Sequence, residues 1–310
     1  MEHRKLGKTD LNVSVVGIGA WAIGGQIEDW GPVDDNESIA AIREGIEQGI
    51  NFVDTAPGYG YGHSEEVVGR AIAGLRDRLV IATKCGLTWR ERRGKLERNL
   101  RPESVRRECE ASLRRLRIET IDLYQIHYPD TQTPLAQTMQ ALEALREEGK
   151  IRFIGVSNFS VDQLAEARRH AAVVSVQPEL SLLQRSAADD LLPYCCEYGI
   201  GVVTYESLAR GLLTGKFDAS STFTDMRAGD PRFTGEAFRR NLRRVDEVKA
   251  IAARLGRTPA QVALRYVIQQ PGVTSAVAGM KRASQVRDNA GAGEFELTPE
   301  LMEELDRIAR

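Results

Sequence analysis

The chain carries residue types suited to proton transfer at a carbonyl group: Asp54, Tyr59, Lys84 and His127. Asp54, Lys84 and His127 each end an apolar, β-branched run, and Tyr59 follows shortly after Asp54. A lysine beside a buried carboxylate stays charged, and its charge favours deprotonation of a nearby phenol. Because an unperturbed tyrosine has a pKa of about 10, it needs such a neighbour to exchange protons at neutral pH.

This set has no hydride donor, since no amino-acid side chain supplies one, and a nicotinamide cofactor is therefore implied. Polar residues that end other apolar runs are placed to hold such a cofactor. Ser157, Asn158 and Gln177 could bind its amide, and Tyr205 could stack on its ring. The reaction indicated is the reduction of a carbonyl group to an alcohol.

Apolar runs that alternate with helical patterns indicate the elements that bring these residues together. Strands are predicted at about Val15 to Gly19, Asn51 to Asp54, Leu79 to Thr83, Ile121 to His127, Phe153 to Ser157, Val173 to Gln177, Gly201 to Tyr205 and Thr274 to Ala278. Helices are predicted at about Asn36 to Gln48, Ser64 to Ala73, Pro102 to Leu116, Pro134 to Glu148, Val161 to His170, Asp189 to Tyr198, Pro259 to Gln269 and Ala283 to Gly291.

Eight strand and helix units over about 290 residues are typical of an α/β protein with a (β/α)8 TIM barrel. In such a barrel the chemistry lies at the C-terminal ends of the strands, where the polar residues named above fall. No Pro/Gly/Ser-rich linker divides the chain, so we expect a single domain over residues 1–310.

Two segments lie outside this repeat. His3 to Val13 predicts a hairpin that closes the bottom of the barrel. Phe217 to Phe238 predicts a long polar loop, and loops of that length are usually functional. Within the repeat, Ser64 is expected to be the N-cap of a helix whose first turn contains Glu65 and Glu66.

Five motifs in order along the chain resemble those of the aldo-keto reductase superfamily, and its general bacterial members in particular. They are FVDTAPGYG (residues 52–60), ATK (82–84), IDLYQIH (121–127), GVSNF (155–159) and RGLLTGK (210–216). The resemblance covers roughly residues 3 to 305. It implies a catalytic tetrad of Asp54, Tyr59, Lys84 and His127. In that tetrad Tyr59 is the general acid, Lys84 paired to Asp54 lowers its pKa, and His127 orients the substrate carbonyl.

The resemblance further implies NADPH, bound without a Rossmann fold, and hydride transfer to an aldehyde or ketone. The residues that it assigns to the cofactor are Trp21, Ser157, Asn158, Gln177, Tyr205, Glu206, Leu208, Arg210, Gly211, Lys216, Gly279, Lys281, Arg282, Gln285, Asp288 and Asn289. Lys281 and Arg282 follow the last predicted strand and would hold the 2′-phosphate, and Asp288 with Asn289 would hold the adenine. The substrate pocket implied consists of Trp21, Tyr59, Trp89, His127 and Tyr128.

Some nearby residues have other interpretations. Tyr61 and His63 are expected to be loop and surface groups. The segment GIGAWA (17–22) fits the G-x-G-x-x-A pattern of a dinucleotide fingerprint, but it leads into a loop instead of a helix, so we reject it as a Rossmann signal. Glu206-Ser207 and Gln285 depart from the family, many members of which have Ser-Pro and an arginine at those positions.

Composition excludes several other classes. A net charge of -2 with 42% hydrophobic residues gives no excess attraction to nucleic acid or to anionic membranes. No apolar run reaches the roughly 18 to 20 residues that cross a bilayer, and the N-terminus does not resemble a signal peptide. The four cysteines contain no C-x-x-C pair and are expected to be reduced thiols in the cytoplasm.

Only His127 among the four histidines ends a predicted strand, so no metal site is expected. Two rival functions stay open: a Schiff-base aldolase barrel with Lys84 as nucleophile, and a regulatory subunit that shares the fold but turns over slowly. The partner expected is a small carbonyl compound, and the oligomeric state is not determined, with a monomer slightly favoured. The pocket should be open and shaped by the loops Ala22 to Gly31, Cys85 to Arg101, Tyr128 to Thr133 and Asp218 to Phe238.

Overall fold

Eight apolar runs form the parallel strands of a closed barrel in the computed structural model, which describes residues 1–28, 30–90 and 94–309. A hairpin of β1 (His3–Lys5) and β2 (Asn12–Ser14) precedes the barrel. The later strands are β3 (Val16–Gly19), β4 (Phe52–Asp54), β5 (Val80–Cys85), β6 (Leu87–Thr88), β7 (Glu97–Arg98), β8 (Ile121–Ile126), β9 (Ile151–Ser157), β10 (Val173–Gln177), β11 (Gly201–Thr204) and β12 (Val273–Gly279). All of them except the short antiparallel pair β6 and β7 belong to the barrel, which closes between β12 and β3.

The barrel strands are buried on both faces, which explains their nearly continuous apolar sequences. Every residue of β5 and of β8 is buried. Leu6, Phe52, Ala82, Leu123 and Val203 belong to one apolar cluster. Side chains alternate between the two faces of a strand, so residues two positions apart share a face. The residues that follow the last four of these by two positions therefore lie on the same face, and they are Asp54, Lys84, Gln125 and Tyr205. The predicted (β/α)8 barrel is confirmed.

Helices surround the barrel. They are α1 (Asp35–Glu47), α2 (His63–Ala71), α3 (Pro102–Leu116), α4 (Leu135–Glu147), α5 (Val161–His170), α6 (Ser186–Asp189), α7 (Leu191–Tyr198), α8 (Gly235–Leu255), α9 (Pro259–Ile268), α10 (Ala283–Ala290) and α11 (Pro299–Ala309). The α9 helix begins with a capping box between Thr258 and Gln261, as its Thr-Pro start predicts. No helix within the described ranges is both long and apolar enough to cross a membrane.

Two of the local predictions are wrong. The loop expected from Phe217 to Phe238 ends earlier, because α8 begins at Gly235 and continues for 21 residues. Its buried residues recur with helical spacing, and its arginines occupy the opposite face. Ser64 is not an N-cap: the cap of α2 is Gly62, and the Ser64 hydroxyl is buried and donates to the carbonyl oxygen of Ala20 at 2.8 Å.

The predicted hairpin lies across the N-terminal end of the barrel, as expected. Leu6 is completely buried in the inner apolar cluster. Gly7 has a φ of +56°, and a Cβ atom there would lie 2.8 Å from both the Val174 carbonyl oxygen and the Gly201 nitrogen. Only glycine fits this close approach to the starts of two strands. The hairpin therefore closes the N-terminal end of the barrel, and the residues predicted to be functional lie at the C-terminal end.

At the C-terminal end, the loop after β3 forms 3₁₀ turns over Trp21–Glu28 instead of the α-helix that a dinucleotide fingerprint requires. The loop after β11 also begins with 3₁₀ turns, at Ala209–Thr214. The predicted loops Ala22 to Gly31 and Cys85 to Arg101 include residues 29 and 91–93, which lie outside the described residues. Ala22 and Trp30, from the first of these loops, line the groove that is described next.

Candidate active site

An ion pair between Asp54 and Lys84 lies at the centre of the barrel mouth. Asp54 ends β4, and Lys84 lies near the end of the neighbouring strand β5. The Lys84 Nζ atom is 2.5 Å from Asp54 Oδ1, and the two side chains are 1% and 4% exposed. The structure brings these two sequence-predicted residues together.

The remaining N–H groups of Lys84 face the loop after β4. Nζ donates to the Thr55 carbonyl oxygen at 3.0 Å and to the Tyr59 hydroxyl at 3.2 Å. An ammonium group has three donors, so with Asp54 each donor has an acceptor. Burial lowers the pKa of Lys84, and the Asp54 carboxylate opposes that effect. The result is a buried cation whose hydrogen bond points at a phenol oxygen.

Tyr59 is held over the pair by a tight turn. Its backbone nitrogen donates to the Ala56 carbonyl oxygen at 3.1 Å. Gly60 has a φ of +63°, and a Cβ atom there would lie only 2.4 Å from the carbonyl oxygen of Gly24. Glycine is therefore needed for the turn to pack against the loop after β3. The Ser64 hydroxyl fixes the same region by contacting the Thr55 hydroxyl at 2.9 Å.

The second carboxylate oxygen of Asp54 is held by two glutamines. Gln177 Nε2, from the end of β10, donates to Asp54 Oδ2 at 2.8 Å. Gln125 Nε2, from β8, donates to the same atom at 3.1 Å. Sequence reasoning assigned Gln177 to the cofactor amide and gave Gln125 no role. The structure brings both onto the carboxylate that holds Lys84.

His127 completes the group at the mouth. Its ring lies edge-on to the Tyr59 ring, with 5.7 Å between centroids, and it stacks on Tyr128 at 4.9 Å. Burial, and secondarily the charge of Lys84, hold the pKa of His127 well below its usual range. The imidazole is therefore neutral at pH 7 and can donate one N–H without carrying a charge.

The three residues expected to bind the cofactor amide are linked to one another and to His127. Asn158 Nδ2 donates to the His127 carbonyl oxygen at 2.9 Å, and Tyr205 donates its hydroxyl to Asn158 Oδ1 at 2.7 Å. Ser157 Oγ donates to the Gln177 carbonyl oxygen at 2.9 Å. This network orders the ends of β8, β9 and β10 beside Asp54.

A groove of about 420 Å³ opens from Tyr59 and Asp54 toward the loops after β3, β11 and β12. Of the predicted cofactor residues, those that line it are Trp21, Tyr205, Glu206, Leu208, Arg210, Gly211, Lys216, Gly279, Lys281, Gln285, Asp288 and Asn289. Ser157, Asn158 and Gln177 do not line it and instead form the network above. Arg282 does not line it either: its side chain is 70% exposed and lies 3.6 Å from Glu37.

Four cationic side chains line this groove: Arg210, which pairs with Glu206 and Asp230, and also Lys216, Arg227 and Lys281. Burial lowers the pKa of Lys216, and the charges of Arg227 and Lys281 lower it further. The pKa of Lys281 is lowered in the same way, by burial and then by Arg227 and Arg282. Asp225 pairs with Arg227 at 2.9 Å and offsets part of this charge, and the repulsion that remains between Lys216 and Lys281 favours an anion.

Comparisons with known proteins agree with this geometry. The model of the Aldo/keto reductase family matches residues 15–310. The chain belongs to the aldo/keto reductase family. The aldo-keto reductase YhdN of Bacillus subtilis is 40% identical over 92% of this chain and 87% of its own length. A protein of Escherichia coli named NADH-specific methylglyoxal reductase is 37% identical over 94% of this chain and 93% of its own length.

Solved structures of other family members share the fold. The glycerol dehydrogenase of Gluconobacter oxydans superposes with a TM-score of 0.92 at 40% identity, over 99% of this chain and 94% of that one. An aldo/keto reductase of Klebsiella pneumoniae in complex with NADP and acetate gives a TM-score of 0.77 at 30% identity, over 99% of this chain and 95% of that one. Oxidoreductase chemistry is thus a property of the family to which this chain belongs.

Sequence reasoning missed several groove residues of this family member: Trp30, Ser207, Thr214, Arg227 and Ala260. Arg227 lies in the segment expected to be a polar loop. Its guanidinium group packs within 6 Å of the rings of Trp30, Phe217 and Phe223. The repeated phenylalanines of this segment were the available signal, because a solvated loop does not need them.

Glu206 is the unusual residue after Tyr205, and the structure shows what it does. Glu206 and Arg210 both have left-handed backbones, with φ of 53° and 55°. The Glu206 carboxylate pairs with Arg210 at 2.8 Å and with Arg232 at 2.8 Å. Asp230 also pairs with both arginines, at 3.1 and 2.7 Å. These ion pairs fasten the strained turn after β11 to the segment before α8.

Two aromatic residues, from the loops after β4 and β6, pack against each other. Trp89, predicted for the pocket, packs edge-on against Tyr61 at 5.4 Å, and Tyr61 donates its hydroxyl to the Gly94 carbonyl oxygen at 2.5 Å. His63 is the first residue of α2 and contacts Asp35 at 2.8 Å. No cluster of three or more His, Cys, Asp or Glu side chains in the described part of the chain is arranged to hold a metal ion.

Proposed function

We propose that this protein is an NADPH-dependent oxidoreductase that reduces aldehydes or ketones to alcohols, with Tyr59 as the general acid. The observation that carries the proposal is the position of the Lys84 ammonium between the Asp54 carboxylate, at 2.5 Å, and the Tyr59 hydroxyl, at 3.2 Å. A cation that donates to a phenol oxygen favours the phenolate, which is the form left after the proton has been given away.

Each residue of the site has a defined part in the reaction. A bound nicotinamide cofactor supplies the hydride that adds to the carbonyl carbon. Tyr59 donates its proton to the carbonyl oxygen, and Lys84 stabilises the phenolate that remains. Neutral His127 donates an N–H to the same oxygen and orients it. The Asp54 carboxylate keeps Lys84 charged in a buried setting.

The residues of the groove fit a dinucleotide cofactor that carries phosphate groups. Lys216, Arg227 and Lys281 can pair with its phosphate oxygens, since cations that repel one another bind an anion favourably. Asp288 and Asn289 line the same groove and can accept and donate hydrogen bonds to adenine. Tyr205, with Trp21 across the groove, offers an aromatic surface for the nicotinamide ring.

A Schiff-base aldolase fits this site less well. Lysine must present a free amine to attack a carbonyl carbon. The Lys84 side chain is 1% exposed, and its three donors are engaged by Asp54, Thr55 and Tyr59. Treatment with borohydride and a carbonyl substrate is therefore expected to leave Lys84 unmodified, as mass spectrometry would show.

The test of the mechanism compares two tyrosines from one loop. NADPH oxidation is followed with a panel of aldehydes, ketones and sugars, using wild-type protein, Tyr59→Phe and Tyr61→Phe. We expect Tyr59→Phe to lower kcat by about 100-fold or more, the usual contribution of a positioned acid. Tyr61→Phe loses the hydrogen bond from its hydroxyl to the Gly94 carbonyl oxygen and should keep most of the activity. A wild-type protein that reduces no carbonyl compound, or equal activities of the two variants, would refute the proposal.

Cofactor choice is tested on the same substrates. We expect kcat/KM to be at least about tenfold higher with NADPH than with NADH, equivalent to about 1.4 kcal/mol of preferential binding. The Escherichia coli relative is named NADH-specific, so the measurement is needed for this chain. A tenfold preference for NADH would contradict the expectation that Lys281 holds a 2′-phosphate.

A further inference from the structure

We propose that Gln125 is a positioning residue that acts through Asp54 to set the pH range in which Tyr59 can donate its proton. This inference rests on the proposed function. Gln125 is completely buried and lies in register with Lys84, its neighbour on β5. Its Nε2 atom donates to Asp54 Oδ2, opposite the oxygen that holds Lys84. Gln125 does not line the groove, so it acts on Lys84 and Tyr59 through the Asp54 carboxylate.

The chain makes room for this side chain at Gly155. Gly155 is the β9 residue in register with Gln125, and Ser175 on β10 is in register with Gly155. A Cβ atom at Gly155 would lie 3.0 Å from Gln125 Cγ and 2.6 Å from Ser175 Oγ. Glycine at this position, within the GVSNF motif, therefore leaves the space through which Gln125 reaches Asp54.

An amide is the group that this position requires. The positive end of its N–H dipole points at Asp54 Oδ2 and reduces the negative potential that the carboxylate exerts on Lys84 and Tyr59. Gln125 Oε1 is buried and accepts no hydrogen bond from the described residues, so only the donor half of the amide is used. A buried polar group with an unused half contributes little to stability. Its position against the carboxylate indicates an electrostatic role.

Other titratable groups face the same centre. Lys84 and Tyr59 lie beside Asp54, His127 ends β8, and Glu65 of α2 acts on Lys84 from behind β5. Because the pKa of His127 is well below its usual range, its titration belongs to the acid limb of a rate profile. The alkaline limb reports loss of the proton from Tyr59 or Lys84. Without the Gln125 dipole both protons are held more firmly, and that limb moves to higher pH.

The experiment measures carbonyl reduction as a function of pH for wild-type protein, Gln125→Met and Ser175→Ala. Methionine keeps the length and approximate volume of glutamine but lacks the donor. We expect the midpoint of the alkaline fall in kcat to rise by about 0.5 to 1 pH unit in Gln125→Met, as loss of one hydrogen bond to a charge implies. The KM for NADPH should change less than about twofold, because uniform binding of cofactor is untouched. Ser175→Ala removes a nearby buried hydroxyl without touching Asp54 and should leave the profile in place.

A second substitution of Gln125 separates the loss of the hydrogen-bond donor from a change in packing. Gln125→Leu also removes the donor but has a branched side chain of different shape, so it should move the alkaline limb in the same direction as methionine does. Thermal melting of each variant reports whether the fold is kept. Profiles of Gln125→Met and Gln125→Leu that coincide with wild type would overturn this inference while leaving the proposed function intact. A wild-type protein without reductase activity would instead refute the proposed function.

Discussion

Glu108 offers a quantitative test of how this fold tolerates a buried acid. It lies on α3, and its Oε2 atom accepts a hydrogen bond from the backbone nitrogen of Gly86 at 2.9 Å. Its Oε1 atom accepts from the Ser104 hydroxyl at 3.1 Å. Gly86 comes two residues after Lys84, so this carboxyl group secures the end of the strand that carries the ion pair. In Glu108→Gln the amide can accept from Gly86 and donate to Ser104, which keeps both contacts.

The pKa of Glu108 is raised from 4.5 to about 7, chiefly because burial disfavours the charged form. The unfolded chain loses this proton near pH 4.5, whereas the folded protein keeps it until about pH 7. The protonated acid therefore contributes stability that is fully present below the unfolded pKa and is lost as the pH rises through the folded pKa. Each pKa unit corresponds to 1.36 kcal/mol, so a loss of about 3 kcal/mol is expected between pH 4.5 and pH 8.

Glutamine cannot ionise, so Glu108→Gln should match wild type in stability at pH 4.5 and exceed it by about 3 kcal/mol at pH 8. Urea unfolding of both proteins at the two pH values measures the difference. Glu103→Gln is the matched control, since Glu103 is an exposed residue in the first turn of the same helix. A Glu108→Gln variant whose stability relative to wild type is the same at both pH values would refute the reasoning.

Two further outcomes can be measured directly. Lys216→Met should raise the KM for NADPH by about tenfold or more, since one charged contact to a cofactor phosphate is lost; an unchanged KM would contradict the phosphate role. In the absence of cofactor, the Lys216→Met protein should be no less stable than wild type, because loss of the Lys216 charge relieves its repulsion by Arg227 and Lys281. Of the four cysteines, Cys196 is exposed, whereas burial raises the pKa of Cys195 to about 12. We therefore expect a thiol reagent to label one cysteine rapidly in wild-type protein and none in Cys196→Ser. Rapid labelling of Cys196→Ser would contradict this expectation.

The sequence was sufficient to predict the barrel and the meeting of the tetrad residues. Apolar, β-branched runs are a local signal, and their repetition has few topological solutions. Once the barrel is assumed, strand ends become neighbours, so Asp54 and Lys84 had to come close together. The contact of Tyr59 with Lys84 depended on the family motif, because a residue on a loop has no position that periodicity defines.

Other features depended on packing that no local pattern records. Ser64 has the residue type of an N-cap, but its hydroxyl is needed by Thr55 and Ala20 in the interior. Arg227 belongs to a segment whose fold is set by the phenylalanine cluster around it. The buried residues of α8, by contrast, recur with helical spacing, which the sequence alone could have shown. The many arginines of this segment make it polar on average, so an interpretation based on mean polarity assigns it to a loop.

The site combines two opposite electrostatic arrangements. Around Asp54 and Lys84 the charges are matched: the ammonium has three acceptors, and the carboxylate has three donors from Lys84, Gln125 and Gln177. In the groove the cations Lys216, Arg227 and Lys281 repel one another. A matched centre keeps its geometry when substrate enters, because no group has to find a new partner. The groove is only partly matched, because Asp225 pairs with Arg227 while Lys216 and Lys281 still repel each other, and binding of an anion would relieve that repulsion. Binding of the proposed cofactor should therefore stabilise the loops after β3, β11 and β12 while the centre formed by Asp54 and Lys84 stays unchanged.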